Sequence, residues 1–119
     1  MFENLMTNAA GEHMRRAVLF CEARHGVIAN NIANVTTPGF RAKDLSVEAF
    51  QESLRRAQLN RDFKVIDSPD AAQVREDGNN VSIEAEMSKL SSNAMMHRTL
   101  LSLLNHQSRL LQSALEGRG

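Results

Sequence analysis

The segment from about residue 81 to 116 constrains the fold more than any other part of this 119-residue chain. Ile83, Met87, Leu90, Ala94, His97, Leu101, Leu104, Ser108, Leu111 and Leu115 recur at alternating steps of four and three, the spacing that lines one side of a helix with packing side chains. It predicts one long helix, opened by the turn sequence Asp77-Gly78-Asn79-Asn80 and closed by Gly117 and Gly119. At about 1.5 Å per residue such a helix is on the order of 50 Å long, so an elongated shape is expected. Between Met87 and Leu115 the only charged side chains are Lys89, Arg98 and Arg109. A helix exposed on one side normally carries a charged face; here the positions opposite the seam are serines, threonine, asparagine and glutamines. Such groups meet other protein without the desolvation penalty of an ion. Leu100, Leu103 and Leu110 lie off the seam as well, so one partner helix cannot cover all the apolar surface. Assembly with copies of the chain or with close relatives follows, against the plainer alternative of a helical bundle completed by the middle of the chain.

The N-terminal part carries a second helical pattern. From about Phe2 to Val35, the residues Met6, Ala10, Met14, Ala17, Cys21, Ile28, Ile32 and Val35 fall mostly three or four apart. Thr36, Thr37 and Pro38 end the pattern, because proline cannot continue the ladder and pushes its predecessor out of the helical region. The fold expected is therefore mainly all-α. Long N- and C-terminal helices (1–35 and 81–119) pack as an antiparallel coiled-coil-like pair forming one axial core domain, and 36–80 is an irregular connecting segment. That middle holds 7 basic and 8 acidic side chains and reads as solvated. Within it a short helix is expected over Ser46 to Leu54, capped by Asp44 or Ser46, with short strands at Phe63–Ile66 and Gln73–Arg75 around the Asp67-Ser68-Pro69-Asp70 turn.

Composition excludes several function classes. The 14 basic residues balance 14 acidic ones, so no nucleic-acid backbone or anionic surface is indicated as partner. Cys21 is the single cysteine and reads as a small buried residue; with His13, His25, His97 and His106 it forms no metal-ligand spacing. No phosphate-cradling glycine motif, nucleophile elbow or carboxylate pair suited to acid–base work is present, so no enzyme, cofactor or small-molecule substrate is expected. His97 reads as a packed, hydrogen-bonded seam residue and the six methionines as adaptable packing. The N-terminus lacks the basic start and apolar run of a cleavable signal peptide or membrane span.

One stretch is unusual for a helix end. Asn30-Asn31-Ile32-Ala33-Asn34 places uncharged amides on the last turns, and Thr37-Pro38-Gly39-Phe40 then breaks the helix at once. Asn30, Asn31 and Asn34 are expected to bridge helices, and Pro38-Gly39 to turn the middle segment outward. From Ala29 to Ala42 the sequence closely resembles the motif that closes the N-terminal helix of bacterial flagellar rod and hook proteins. The stretch from Gly78 to Gly117 is similar to the C-terminal helix of the same family, with Asn80-Val81 and Glu86-Met87 at matching places. Thr36 and His97 depart from the usual pattern.

The resemblance implies a structural subunit of the flagellar basal body that polymerises into the proximal rod. It further implies a periplasmic place, export by the flagellar type III apparatus without a cleaved signal, and folding during polymerisation. The partners implied are copies of itself, other rod proteins, an adaptor at the rod base, and the export gate or membrane ring beneath. The sister C-type proximal rod protein and a soluble helical adaptor are the alternatives. A peptidoglycan-cleaving rod component would need a paired acid and nucleophile in a cleft, for which the chain offers no pair.

Overall fold

The structure, a computed structural model, describes residues 11–57 and 62–117. Within them run α1 (Glu12–Ala33), β1 (Lys43–Leu45), α2 (Val47–Arg55), β2 (Val65–Asp67) and α3 (Ile83–Leu115). α1 and α3 lie side by side and antiparallel: Asn31 meets Glu86, Cys21 meets Asn93 and Glu22 meets His97. The fold is thus mainly helical, with the two long helices packed together, and its extents are 65 × 26 × 15 Å. Met6 and Ala10 of the expected N-terminal pattern lie outside the described residues.

Local chemistry explains the helix ends. Ser82 sits in extended backbone, and its hydroxyl accepts from the Ala85 N–H at 3.3 Å, while Glu84 and Glu86 occupy the first turn at the positive end of the α3 dipole. Gly117, at φ +74°, lets the chain leave α3 in a left-handed conformation. α2 is capped by Ser46, whose hydroxyl accepts from the Ala49 N–H at 3.1 Å; of the two expected caps, Asp44 is occupied elsewhere. The rings of Phe20 and Phe50 stack at 4.4 Å, and Phe63 meets both edge-on at 5.4 and 5.8 Å. This aromatic cluster seats α2 against α1, with the Arg16 guanidinium over the Phe50 ring.

Two expectations about the middle are corrected. β2 occupies Val65–Asp67 rather than Phe63–Ile66, and it pairs antiparallel with β1 in the register Lys43↔Asp67, Asp44↔Ile66, Leu45↔Val65. Gln73–Arg75 forms no strand. Its backbone closes a loop instead: Ala72 N–H donates to Asn80 O, Arg75 N–H to Asn79 O and Gly78 N–H to Arg75 O. Those groups are satisfied locally and are not available to a ladder.

The seam of α3 is also rotated from its expected line. Glu86 and Asn93 are buried, and Leu90, His97, Leu100, Leu104, Gln107 and Leu111 are half-buried, which defines the stripe turned inward. Leu90, His97, Leu104 and Leu111 belong to both the expected and the observed stripe. Ile83, Met87, Leu101, Ser108 and Leu115 are exposed, and Ala94 is half-buried. Hydrophobic spacing could not find this, because the positions that displace Met87 and Ala94 at the packed line are a carboxylate and an amide that bond to the α1 side.

A polar knot at the joint of the two helices

Asn31 is fully buried near the end of α1. Its side-chain N–H₂ donates to the Glu86 carboxylate at 2.7 Å and to the Lys43 carbonyl at 2.7 Å, while its Oδ1 accepts from the Lys43 N–H at 3.1 Å. One side-chain amide thereby pairs both main-chain groups of Lys43, as a neighbouring strand would, on the edge of β1 away from β2. A single residue of α1 closes the sheet edge and reaches α3. The α2-proximal half of the helix pair has its own polar tie, the buried Asn93 amide donating to the Cys21 carbonyl at 2.8 Å.

Around this amide sits a charge cluster drawn from four segments. Arg24 grips Asp44 with two bonds of 2.8 Å, the forked geometry that favours arginine over lysine. The Lys89 ammonium lies 3.0 Å from Glu86 Oε2, 3.1 Å from Asp70, 3.0 Å from the Ser68 hydroxyl and 3.6 Å from Asp44. Burial pushes the Asp44 carboxyl up, but hydrogen bonds from Arg24 and the Leu45 N–H, with the charges of Arg24 and Lys89, outweigh it and hold the group below its ordinary value. Asp70 follows the same pattern, with Ser68 and Lys89 overcoming burial. Burial alone would pull Lys89 down, yet its bonds to Glu86 and Asp70 and the nearby negative charges keep it above its ordinary value. These carboxylates are committed to cations and are not poised to exchange protons near neutrality.

A third group of contacts ties the exit of α1 to the entry of α3. Asn79, fully buried, donates to the carbonyls of Asn34 at 2.8 Å and Thr37 at 2.9 Å and accepts from the Val81 N–H at 2.7 Å. Asn80 accepts from the Ala42 N–H at 2.6 Å. The Arg75 guanidinium donates to the carbonyl of Val35 at 2.6 Å and to that of Val81 at 2.9 Å, spanning the gap between the helices. Gly39 (φ +76°) and Gly78 (φ +84°) meet here, and a Cβ on Gly78 would stand 3.1 Å from the Gly39 Cα. Both glycines serve a close backbone crossing.

The amides of the helix end divide their roles. Only the side chain of Asn31 crosses to α3. Asn34 turns back, donating to the carbonyl and Oδ1 of Asn30 at 2.8 and 3.2 Å, and accepts from the Thr37 hydroxyl at 3.0 Å. Asn30, Thr37, Pro38 and Gly39 are exposed, whereas Ile32 and Phe40 are half-buried. Phe40 bonds through its backbone to Thr37 O and from Asn80 N–H. By sequence Asp77-Gly78-Asn79-Asn80 reads as the turn that opens α3; its two adjacent asparagines, matching the two of the α1 end, are the available signal that it is the other half of the joint. Arg24, Asp44, Arg75 and Lys89 gave no such signal, since charges scattered over 65 residues converge only through the fold.

Clefts flank α1 on both sides. One, of about 410 Å³, is lined by Cys21, Glu22, His25, Ala94, His97 and Leu101 among others, with Glu22 and His97 3.4 Å apart. The other, of about 380 Å³, lies between α2 and α3 over Phe20, Cys21 and Phe50. Burial raises the Cys21 thiol above its ordinary value. Among the described residues, no group of three His, Cys, Asp or Glu side chains is placed to hold a metal ion, and no helix is long and apolar enough to cross a membrane.

Residues 23–41, the half of α1 that enters the knot together with its exit turn, match the family model described as flagella basal body rod protein. Over most of its length the chain is similar to proteins called flagellar basal body rod protein FlgB. That of Bacillus subtilis (strain 168) is 28% identical over 119 residues, 89% of this chain and 92% of the relative. That of Aeromonas hydrophila is 31% identical over 79% of this chain and 83% of the relative. That of Borrelia hermsii is 32% identical over 70% and 78%. The chain belongs to the flagellar basal-body rod protein family, a family of structural proteins not known to be enzymatic. It is a structural subunit of the proximal rod and assembles with other rod components in the basal body.

Proposed function

We propose that the chain builds the proximal rod by packing the exposed flanks of α3 against neighbouring subunits, with the polar knot holding α1 and α3 at a fixed crossing. One observation carries this reading. The buried positions of α3 are Glu86 and Asn93, while Ile83, Met87, Met95, Met96, Leu101, Leu103, Leu110 and Leu115 are exposed. A helix whose two buried positions are polar ties, and which leaves Ile83, three methionines and four leucines exposed, is built for contacts beyond its own chain. In this reading residues 1–35 and 81–119 form the axial core, and residues 36–80 lie outside the helical tube. The subunit works in the periplasm, reaches it by the flagellar export apparatus without a cleaved signal, and catalyses nothing. Its further partners are the adaptor at the rod base and the export gate or membrane ring. A 33-residue α3 in a molecule 65 Å long suits a subunit laid along a shaft.

The test is complementation. A tagged chain expressed in cells lacking their own copy should restore swimming and co-purify with basal bodies. Recovery of the tagged chain only from the cytoplasm of swimming cells would contradict the proposal.

A further inference from the structure

We propose that the stripe of α3 carrying Arg98 and Arg109 receives a helix of a different protein, with carboxylates placed opposite the two arginines. This rests on the rod reading and names the kind of partner that meets α3 there. Arg98 and Arg109 stand eleven positions apart, which is about three turns and on the order of 16 Å along the axis, so the two lie on one side of the helix. At about 100° per residue, Met87, Ser91, Leu101, Asn105 and Gln112 fall within about 60° of the same line. All five are exposed, as are both arginines. Among the described residues neither guanidinium is ion-paired or hydrogen-bonded, whereas Lys89 is committed to Glu86 and Asp70 in the knot. Arg98 and Leu101 also form part of the wall of the cleft of about 410 Å³. The carboxylate that lines this cleft, Glu22, lies 3.4 Å from His97 and leaves Arg98 without a counter-charge.

Charge decides the occupant. Between Met87 and Leu115 there is no acidic residue, so the same stripe of a second copy would set arginine against arginine. The other described helices of the chain offer no match either. On α1, Glu12 is held by Arg15 and Glu22 by His97, and ten positions leave the two about 80° apart around the helix. On α2, Glu48 and Glu52 are only one turn apart, and Glu52 is held by Arg55 and Arg56. At the start of α3, Glu86 is buried. A fitting pair of carboxylates therefore comes from another protein. An anionic lipid surface is read by clusters of about four to eight basic residues, and this stripe has two, set among serine, asparagine, glutamine and apolar side chains. Exposed ion pairs add little affinity but choose the partner and fix its register; Met87 and Leu101 supply the apolar contact.

The test uses the full chain in flagellated cells lacking their own copy. Swimming with the unsubstituted chain tests the rod reading by itself, and failure there overturns that reading and the partner assignment with it; every other result bears on the stripe alone. A photo-cross-linking amino acid replaces Thr99, exposed at the edge of the stripe. Irradiation should join the chain to a different protein of the basal body, at a helical segment with two Asp or Glu residues about eleven positions apart. Cross-links only to a second copy, only to lipid, only to a segment without such carboxylates, or none at all would overturn the assignment. As an independent readout, Arg98→Glu combined with Arg109→Glu should abolish swimming, while Arg98→Lys combined with Arg109→Lys should keep it. Replacing the two partner carboxylates by arginine should restore swimming to the charge-reversed chain. Swimming by that chain with an unaltered partner, or no rescue by the altered one, would overturn the assignment. The purified charge-reversed chain should keep its helicity and denaturation midpoint, since both positions are exposed; loss of either would make the arginines supports of α3 itself and overturn it as well.

Discussion

The Asn31 amide donates to the Glu86 carboxylate at 2.7 Å across 55 positions of sequence, and both residues are fully buried. This bond joins the last turns of one long helix to the first turn of the other, and through Lys43 it also fixes the sheet edge. Its removal strands hydrogen-bonding groups on both sides. Asn31→Leu should cost about 2–4 kcal/mol, since each buried polar group left unsatisfied costs about 1–3 kcal/mol. Glu86→Gln, which keeps an acceptor for Asn31 but loses the ion pair to Lys89, should cost less. Urea denaturation followed by helical circular dichroism checks the order; a loss from Glu86→Gln as large as that from Asn31→Leu would assign the energy to the ion pair.

The glycine crossing predicts an asymmetry. Gly39→Ala meets only the strain of a left-handed conformation, about 1–2 kcal/mol, because nothing lies within 4 Å of its added Cβ. Gly78→Ala meets the same strain and also the Gly39 backbone at 3.1 Å. It should therefore lower the denaturation midpoint more, and equal midpoints would show that the loop yields.

Acid should loosen the knot in a defined direction. Asp44 and Asp70 have depressed values in the folded chain, so the unfolded chain binds protons more readily. Their stabilisation is complete above the ordinary carboxylate value of about 4 and is lost as pH falls through the lower, folded value. Lys89 is raised, so its contribution is present below its ordinary value and disappears only as alkaline pH passes the folded one. Asp44→Asn should lower stability at neutral pH by about 1–3 kcal/mol and flatten the acid limb of a stability–pH curve. An unchanged acid limb would place the titrating groups elsewhere.

Arg75 bridges two carbonyls that belong to neither helix interior, Val35 and Val81. Lysine has the charge but not the fork. Arg75→Lys should raise amide exchange at Thr37 and Gly39 severalfold while leaving exchange in the middle of α1 unchanged. Uniform acceleration along α1 would mean that the residue supports global stability instead.

The architecture was legible in the sequence wherever backbone chemistry decided it. Ser46 caps α2, the Asp77-Gly78-Asn79-Asn80 turn precedes α3, and Thr36, Thr37 and Pro38 follow the end of the first helical run because local rules operate there. The inward line of α3 was not legible. Hydrophobic spacing assigns Met87 and Leu101 to the packed side, but Glu86 and Asn93 take it, since their bonds to Asn31 and the Cys21 carbonyl come from residues 55 and 72 positions away. The strand pair failed for a similar reason. Val65 and Ile66 show β propensity, whereas their partner Lys43-Asp44-Leu45 is extended mainly because the Asn31 amide and β2 hold its two edges. Of the joint, the asparagines at 30, 31 and 34 were visible as an oddity; the division by which Asn31 crosses to α3 while Asn34 folds back on Asn30 required coordinates.

In the proposed rod, α3 is an assembly helix whose exposed flank matters to the polymer and not to the single chain. Leu101→Glu tests it most directly, since Leu101 is exposed and exposed substitutions usually shift stability by no more than about 0.5 kcal/mol. The variant should keep its helicity and denaturation midpoint and be secreted at the normal level, in cells that build no rod and do not swim. Normal rods and normal swimming with Leu101→Glu would contradict it.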